Sequence, residues 1–274
     1  MKKRYSLLLG ATALALAPAA AMAERGASGH LNIIYWQAPS TLNPYLSGGT
    51  KEVESASLIL ESLARFNQDG TITPWLAESV PTVENGGISE DLTSITWTIA
   101  EGVTWSDGSA LTAADFVFTW TYCTHPEGGC AQSSYFDGVT AIEAVDDRTI
   151  RISFAEATPF PYTAFVGSES PVLQAAQFAD CLGARAPECT DANFGPIGTG
   201  PFVVDEFRPN DVIELSANPN FRFPDRPHFA TVTFKGGGDA TSAARSVCET
   251  GEFDYAWNLQ MDPTILAGME AQGR

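Results

Sequence analysis

Three histidines, five cysteines and a few acidic pairs are the side chains here with reactive potential. His30, His125 and His228 lie far apart, each in a turn-like or strand-edge context. No HExxH zinc helix, GxSxG nucleophile elbow or SxxK pair occurs anywhere in the chain. Gly236-Gly237-Gly238 has no lysine after it, so it reads as a strand-to-helix turn and not as a phosphate cradle. Asp107-Gly108 suits a tight turn within Ser106-Asp107-Gly108-Ser109, and Glu90-Asp91 and Asp146-Asp147 read as turn or surface carboxylates. Hydrolytic chemistry is therefore unsupported, and neither a cofactor nor a metal ion is expected.

The cysteines point to cross-linking. Cys123 with Cys130 would close a short loop over Pro126, Gly128 and Gly129, and Cys181 with Cys189 would close a second. Their spacing is not that of paired CxxC zinc ligands. Cys248 is left over, and its partner is expected beyond residue 274. Disulfides imply an oxidising compartment, and the first residues agree. Lys2, Lys3 and Arg4 precede the apolar run Leu7 to Ala17, and Ala21-Met22-Ala23 offers small residues for cleavage before Glu24. That layout is a secretory signal peptide over 1–23. The apolar run is too short to cross roughly 30 Å of hydrocarbon. A formal charge of −18 and a pI near 4.4 exclude nucleic acid and anionic membrane surfaces as natural partners.

Period-two alternation predicts strands at Leu31-Ile33-Tyr35, Ile95-Trp97-Ile99 and Ile150-Ile152-Phe154, with further β-rich runs at 202–204, 212–215 and 232–234. Helical spacing appears at Ala56, Ile59, Leu60 and Leu63, and again at Ala113, Phe116, Val117 and Trp120. Thr112 with Asp115 three residues on can satisfy the free N–H groups at the start of that second helix. Asp239 is the expected cap of a helix running to about Thr250, with Gly251 as its stop, and Asp262-Pro263 opens one more. The mixture is α/β without regular βαβα alternation. The last helix stops without a cap or tail, as expected of a truncated sequence.

A set of ordered motifs resembles the family 5 extracellular solute-binding proteins, the oligopeptide- and dipeptide-binding components of ABC importers. The signature is Trp105-Ser106-Asp107-Gly108-Ser109-Ala110-Leu111-Thr112-Ala113-Ala114-Asp115-Phe116, preceded by Glu101-Gly102-Val103. Trp75-Leu76-Ala77-Glu78-Ser79, Val145-Asp146-Asp147-Arg148-Thr149-Ile150, Ile197-Gly198-Thr199-Gly200-Pro201-Phe202, Asn218-Pro219-Asn220-Phe221 and Gly251-Glu252-Phe253-Asp254 are similar to further family motifs, in order. Ala110 stands where the family usually has proline, and the Cys123–Cys130 loop is an elaboration.

The resemblance implies a periplasmic-binding-protein-like α/β fold of the type II, large peptide-binding class. It implies only the first lobe, with the second lobe missing. Residues 24–58 and 193–274 would form the main part of that lobe and 59–192 an inserted subdomain carrying the signature. The implied function is capture of a short peptide in an interlobe cleft and delivery to ABC permease subunits, in a periplasmic monomer that catalyses nothing. An oligosaccharide or nickel complex is the alternative cargo, and a secreted hydrolase or adhesin the alternative class.

By the same resemblance the ligand-pairing segment follows Leu42-Asn43-Pro44 and places Gly48, Gly49 and Thr50 on it, where a missing Cβ would let backbone approach the ligand. An ordinary turn before a helix is the competing reading. Tyr255, Trp257, Asn258 and Gln260, on a strand leading towards the crossover, could offer aromatic faces and amides to a ligand, or Tyr255 and Trp257 could be core. Tyr135 and Phe136 are rim or packing residues.

Overall fold

The computed structural model describes residues 24–257 and 261–273. Among the described residues ten strands form: β1 (His30–Tyr35), β2 (Ala64–Phe66), β3 (Ile72–Pro74), β4 (Ser94–Thr98), β5 (Val139–Ala144), β6 (Thr149–Phe154), β7 (Phe202–Arg208), β8 (Val212–Ala217), β9 (Thr231–Gly236) and β10 (Tyr255–Trp257). The helices are α1 (Thr50–Ala56), α2 (Ala113–Cys123), α3 (Ala175–Phe178), α4 (Thr190–Phe194), α5 (Ala240–Cys248) and α6 (Pro263–Ala271).

The largest sheet has the order β10-β1-β9-β8-β7. β1 runs parallel to both neighbours, while β8 runs antiparallel to β7 and β9. Parallel strands need a long connection; here α5 carries the chain from β9 over β1 to β10. Alternation sends Tyr35 into a core with Leu42, Ile59, Phe202, Ile213, Leu215, Val232 and Phe234, and sends Ile34 to the other face against Ala243 of α5 and Phe253.

Residues between about 60 and 192 build a second core on the antiparallel sheet β4-β6-β5 and the hairpin β2-β3. Trp97, Trp105, Phe116, Phe165 and Phe178 are among its fully buried side chains. α2 packs on it and begins as expected: the Thr112 N–H donates to Asp115 Oδ2 at 2.9 Å, and Asp115 Oδ1 accepts from Ala175 N at 2.9 Å. The expected Cys123–Cys130 and Cys181–Cys189 bonds are both present, and Cys248 is a free thiol.

One expected helix is not formed. Ala56, Ile59, Leu60 and Leu63 are all buried, but α1 ends at Ala56 and the chain then runs through turns. Distant segments take up the backbone groups that a helix would need. The Ile59 carbonyl accepts from Gly200 N at 2.8 Å, the Leu58 carbonyl from Phe202 N at 3.1 Å, and Leu63 N donates to the Phe165 carbonyl at 2.9 Å. A Cβ on Gly198 would lie 1.9 Å from the Ile59 oxygen, so only glycine lets these two backbones meet. The spacing registered burial correctly, but long-range pairing overrode helix propensity.

Candidate ligand-binding site

In sheets of this kind the ligand crevice lies outside the carboxyl ends of the parallel strands. Those ends bring together Tyr35 of β1, Gly236 of β9 and Trp257 of β10, with Tyr35 paired in register to both. Tyr35 and Trp257 stack, their ring centroids 4.7 Å apart and 18° from parallel. Tyr255, two residues earlier on the same face, is 51% exposed. Beside this corner, Trp36, Gln37, Ala38, Lys51, Asn210 and the Gly236–Gly238 turn line a cavity of about 370 Å³.

The segment approaching the strand ends is held from two sides. Asn43, fully buried, donates from Nδ2 to Tyr122 Oη at 3.0 Å and to Asn193 Oδ1 at 2.9 Å, while its own Oδ1 accepts from Tyr45 N at 3.1 Å. Tyr122 adjoins Cys123, and Asn193 follows Cys189 by four residues, so both disulfides brace the helices that hold Asn43. On the far side, Glu52 Oε1 accepts from Ser40 N and Oγ, each at 2.9 Å, and from Lys51 Nζ at 2.8 Å. Lys51 also donates to the Ala38 carbonyl at 2.9 Å, which bolts α1 to the loop leaving β1.

Burial alone would push the Glu52 carboxyl up, but the Lys51 ammonium and the Ser40 donors outweigh it and hold the group below its ordinary value of 4.5. A depressed folded-state value means that this stabilisation is fully present above 4.5 and is lost as pH falls through the folded-state value. Glu52→Gln is expected to remove about 1.5–3 kcal/mol at neutral pH. It should also flatten the loss of stability on acidification, as measured by urea unfolding at a series of pH values. An acid limb as steep as that of the unaltered protein would refute the assignment.

Between these anchors, Gly48 is exposed, and a Cβ there would meet nothing within 4 Å. Gly49 precedes α1 in an extended conformation, with φ −72° and ψ 134°, and the exposed Thr50 is the first residue of that helix. Trp257 is half-buried. Asn258 and Gln260 lie outside the described residues. Phe136 is core, edge-on to Phe165 at 5.4 Å, and Tyr135 packs partly against the same cluster. The candidates on the 48–50 segment and on β10 therefore border one end of the sheet, whereas the Tyr135 region belongs to the second core.

Two residues beside the candidate site had no distinct sequence signal. The Tyr35 hydroxyl donates to Glu54 Oε2 on α1 at 2.5 Å. Burial pushes Tyr35 far above its ordinary value, helped by the Glu54 bond and charge and by the nearby Tyr255, so the hydroxyl remains a donor. In the sequence Tyr35 is one position of the Leu31-Ile33-Tyr35 alternation, and nothing in the spacing singles out Glu54. Among the described residues no group of three or more His, Cys, Asp or Glu is arranged to hold a metal ion, and no helix is long and apolar enough to cross a membrane.

Residues 71–271 match the family model described as "Bacterial extracellular solute-binding proteins, family 5 Middle". The chain belongs to this family. Family 5 is a family of extracellular solute binders and not of enzymes, which removes the hydrolase alternative. Among curated relatives, Protein XP55 of Streptomyces lividans is 28% identical over 233 residues, covering 85% of this chain and 39% of that protein. The crystal structure of Haemophilus influenzae OppA in complex with RPPGFSPFR aligns with a TM-score of 0.75 at 20% identity, over 89% of this chain and 48% of the other. NikZ from Campylobacter jejuni in complex with Ni(L-His) aligns with a TM-score of 0.73 at 21% identity, over 88% and 45%. This family 5 chain thus spans less than half the length of these relatives. The solved structures establish the periplasmic-binding-protein fold, and at these identities they establish nothing finer.

Proposed function

We propose that this chain is the first lobe of the substrate-binding component of an ABC importer, and that it holds a short peptide at the carboxyl ends of β1, β9 and β10. In this reading residues 24–58 and 193–274 form the main part of the lobe, and 59–192 an inserted subdomain. The leader 1–23 is removed before Glu24, and the protein works as a periplasmic monomer that delivers its cargo to membrane permease subunits. The ligand lies extended against Gly48, Gly49 and Thr50 as an added strand, with Tyr255, Trp257, Asn258 and Gln260 contributing from β10 and the segment after it. Hinged closure of a second lobe completes the enclosure.

The observation that carries this reading is the anchored segment at the parallel strand ends. Gly48, three residues before the Lys51 that ties α1 to the loop leaving β1, presents open backbone, and β10 adds the exposed Tyr255 and the half-buried Trp257. The peptide complex of the similar OppA favours peptide cargo. The Ni(L-His) complex of NikZ supports a second reading in which the same fold carries a metal chelate. Mass spectrometry of what denaturation releases from the purified full-length protein separates the two. Peptides of a few residues are the expected result, and release of a metal chelate or sugar in their place would overturn the peptide assignment.

A further inference from the structure

We infer that the first-lobe wall is built to take a cationic group of the ligand, an ammonium or guanidinium, between the Glu54 carboxylate and the rings of Trp257 and Tyr255. This inference rests on the binding site proposed above and adds a charge preference to it.

Glu54 is half-buried on α1, and one of its oxygens accepts from Tyr35 at 2.5 Å. Among the described residues no Lys or Arg is paired with Glu54. The nearest cation on its helix, Lys51, is already engaged by Glu52 at 2.8 Å and by the Ala38 carbonyl at 2.9 Å. Tyr35 is a neutral donor, so its hydrogen bond orients the carboxylate without cancelling the charge. The same tyrosine stacks on Trp257, so this negative charge sits beside an aromatic cluster at the mouth of the site.

Each component attracts the same kind of guest. Ring faces carry the negative lobe of the aromatic quadrupole and draw cations. A partly desolvated carboxylate with an acceptor position to spare gains most from a charged N–H donor. An anionic group in the same place would meet repulsion from Glu54, while Lys51, the cation on the same helix, is already engaged by Glu52 and the Ala38 carbonyl. The competing role for Glu54 is to fix the Tyr35 ring and nothing more. Glutamine in its place would keep an oxygen acceptor for Tyr35 while removing the charge, so Glu54→Gln separates the two roles.

The test uses the full-length protein and calorimetric titration with two matched pairs of probes. One pair is a tripeptide with a central arginine against the same peptide with citrulline, which has the shape without the charge. The other is arginine amide against citrulline amide. The unaltered protein is expected to prefer the arginine probe by about tenfold or more, with Glu54→Gln bringing the ratio towards one. Trp257→Leu should reduce the ratio several-fold and serves as the second variant should Glu54→Gln fail to fold. Equal affinity within each pair, a ratio that survives Glu54→Gln, or no binding of either arginine probe would overturn the inference. If both peptides fail to bind while arginine amide binds in a Glu54-dependent way, the peptide assignment falls and the cation preference stands.

Discussion

Arg222→Ala is expected to lower the unfolding free energy by about 3–5 kcal/mol. The Glu61 side chain is 0% exposed and that of Arg222 12% exposed, and Arg222 Nη1 and Nη2 reach the two Glu61 oxygens at 2.6 and 3.3 Å. Thr199 Oγ1 donates to the same carboxylate at 3.0 Å, and the Trp75 indole N–H donates to its other oxygen. Arg65, at 3.5 Å, is half in solvent and cannot substitute for a buried fork. Removing Arg222 therefore leaves a desolvated negative charge without its main counter-ion, the circumstance in which a buried pair matters most. Urea unfolding of the variant measures the loss, and Arg222→Lys should recover only part of it, because an ammonium cannot reproduce the bidentate geometry. A loss under about 1 kcal/mol would show that the network contributes specificity without stability.

The second large effect is expected from the disulfides. Cys123–Cys130 and Cys181–Cys189 close loops with sequence separations of 7 and 8. Loop-closure entropy for rings of this size assigns each about 2–3 kcal/mol. The loops also touch, since a Cβ on Gly183 in the second would lie 2.6 Å from the His125 ring in the first. Reduction should lower stability, and it should also speed amide exchange around Asn43 and Gly48, because Tyr122 and Asn193 lose their bracing. Coincident unfolding curves for oxidised and reduced protein would contradict both statements.

Local chemistry explains what was legible in the sequence. The Thr112–Asp115 start of α2, the Asp239 cap of α5 and the Asp262-Pro263 start of α6 each depend on residues within a turn of one another, and all three occur in the structure. Period-two strands were equally plain, because alternation is a property of the strand itself. The Glu61 cluster was not legible. It joins Glu61 to Trp75, Thr199 and Arg222, the last of them 161 residues away, and no spacing rule connects them. For the same reason the Tyr35–Trp257 stack depends on strand register that only the folded sheet defines. The segment from Ala56 to Leu63 shows the opposite failure, a helical pattern produced by burial alone.

The placement of β1 also governs how the polypeptide can mature during synthesis. His30 pairs with Thr231, 201 positions downstream, and neither flanking strand of β1 has been made when β1 leaves the ribosome. Contacts over such distances form late and slowly. The antiparallel unit around Trp97 and Trp105 has its partners close by and can consolidate first, while Leu31, Ile33 and Tyr35 wait unpaired. During that interval the apolar positions of β1 are uncovered and open to a chaperone.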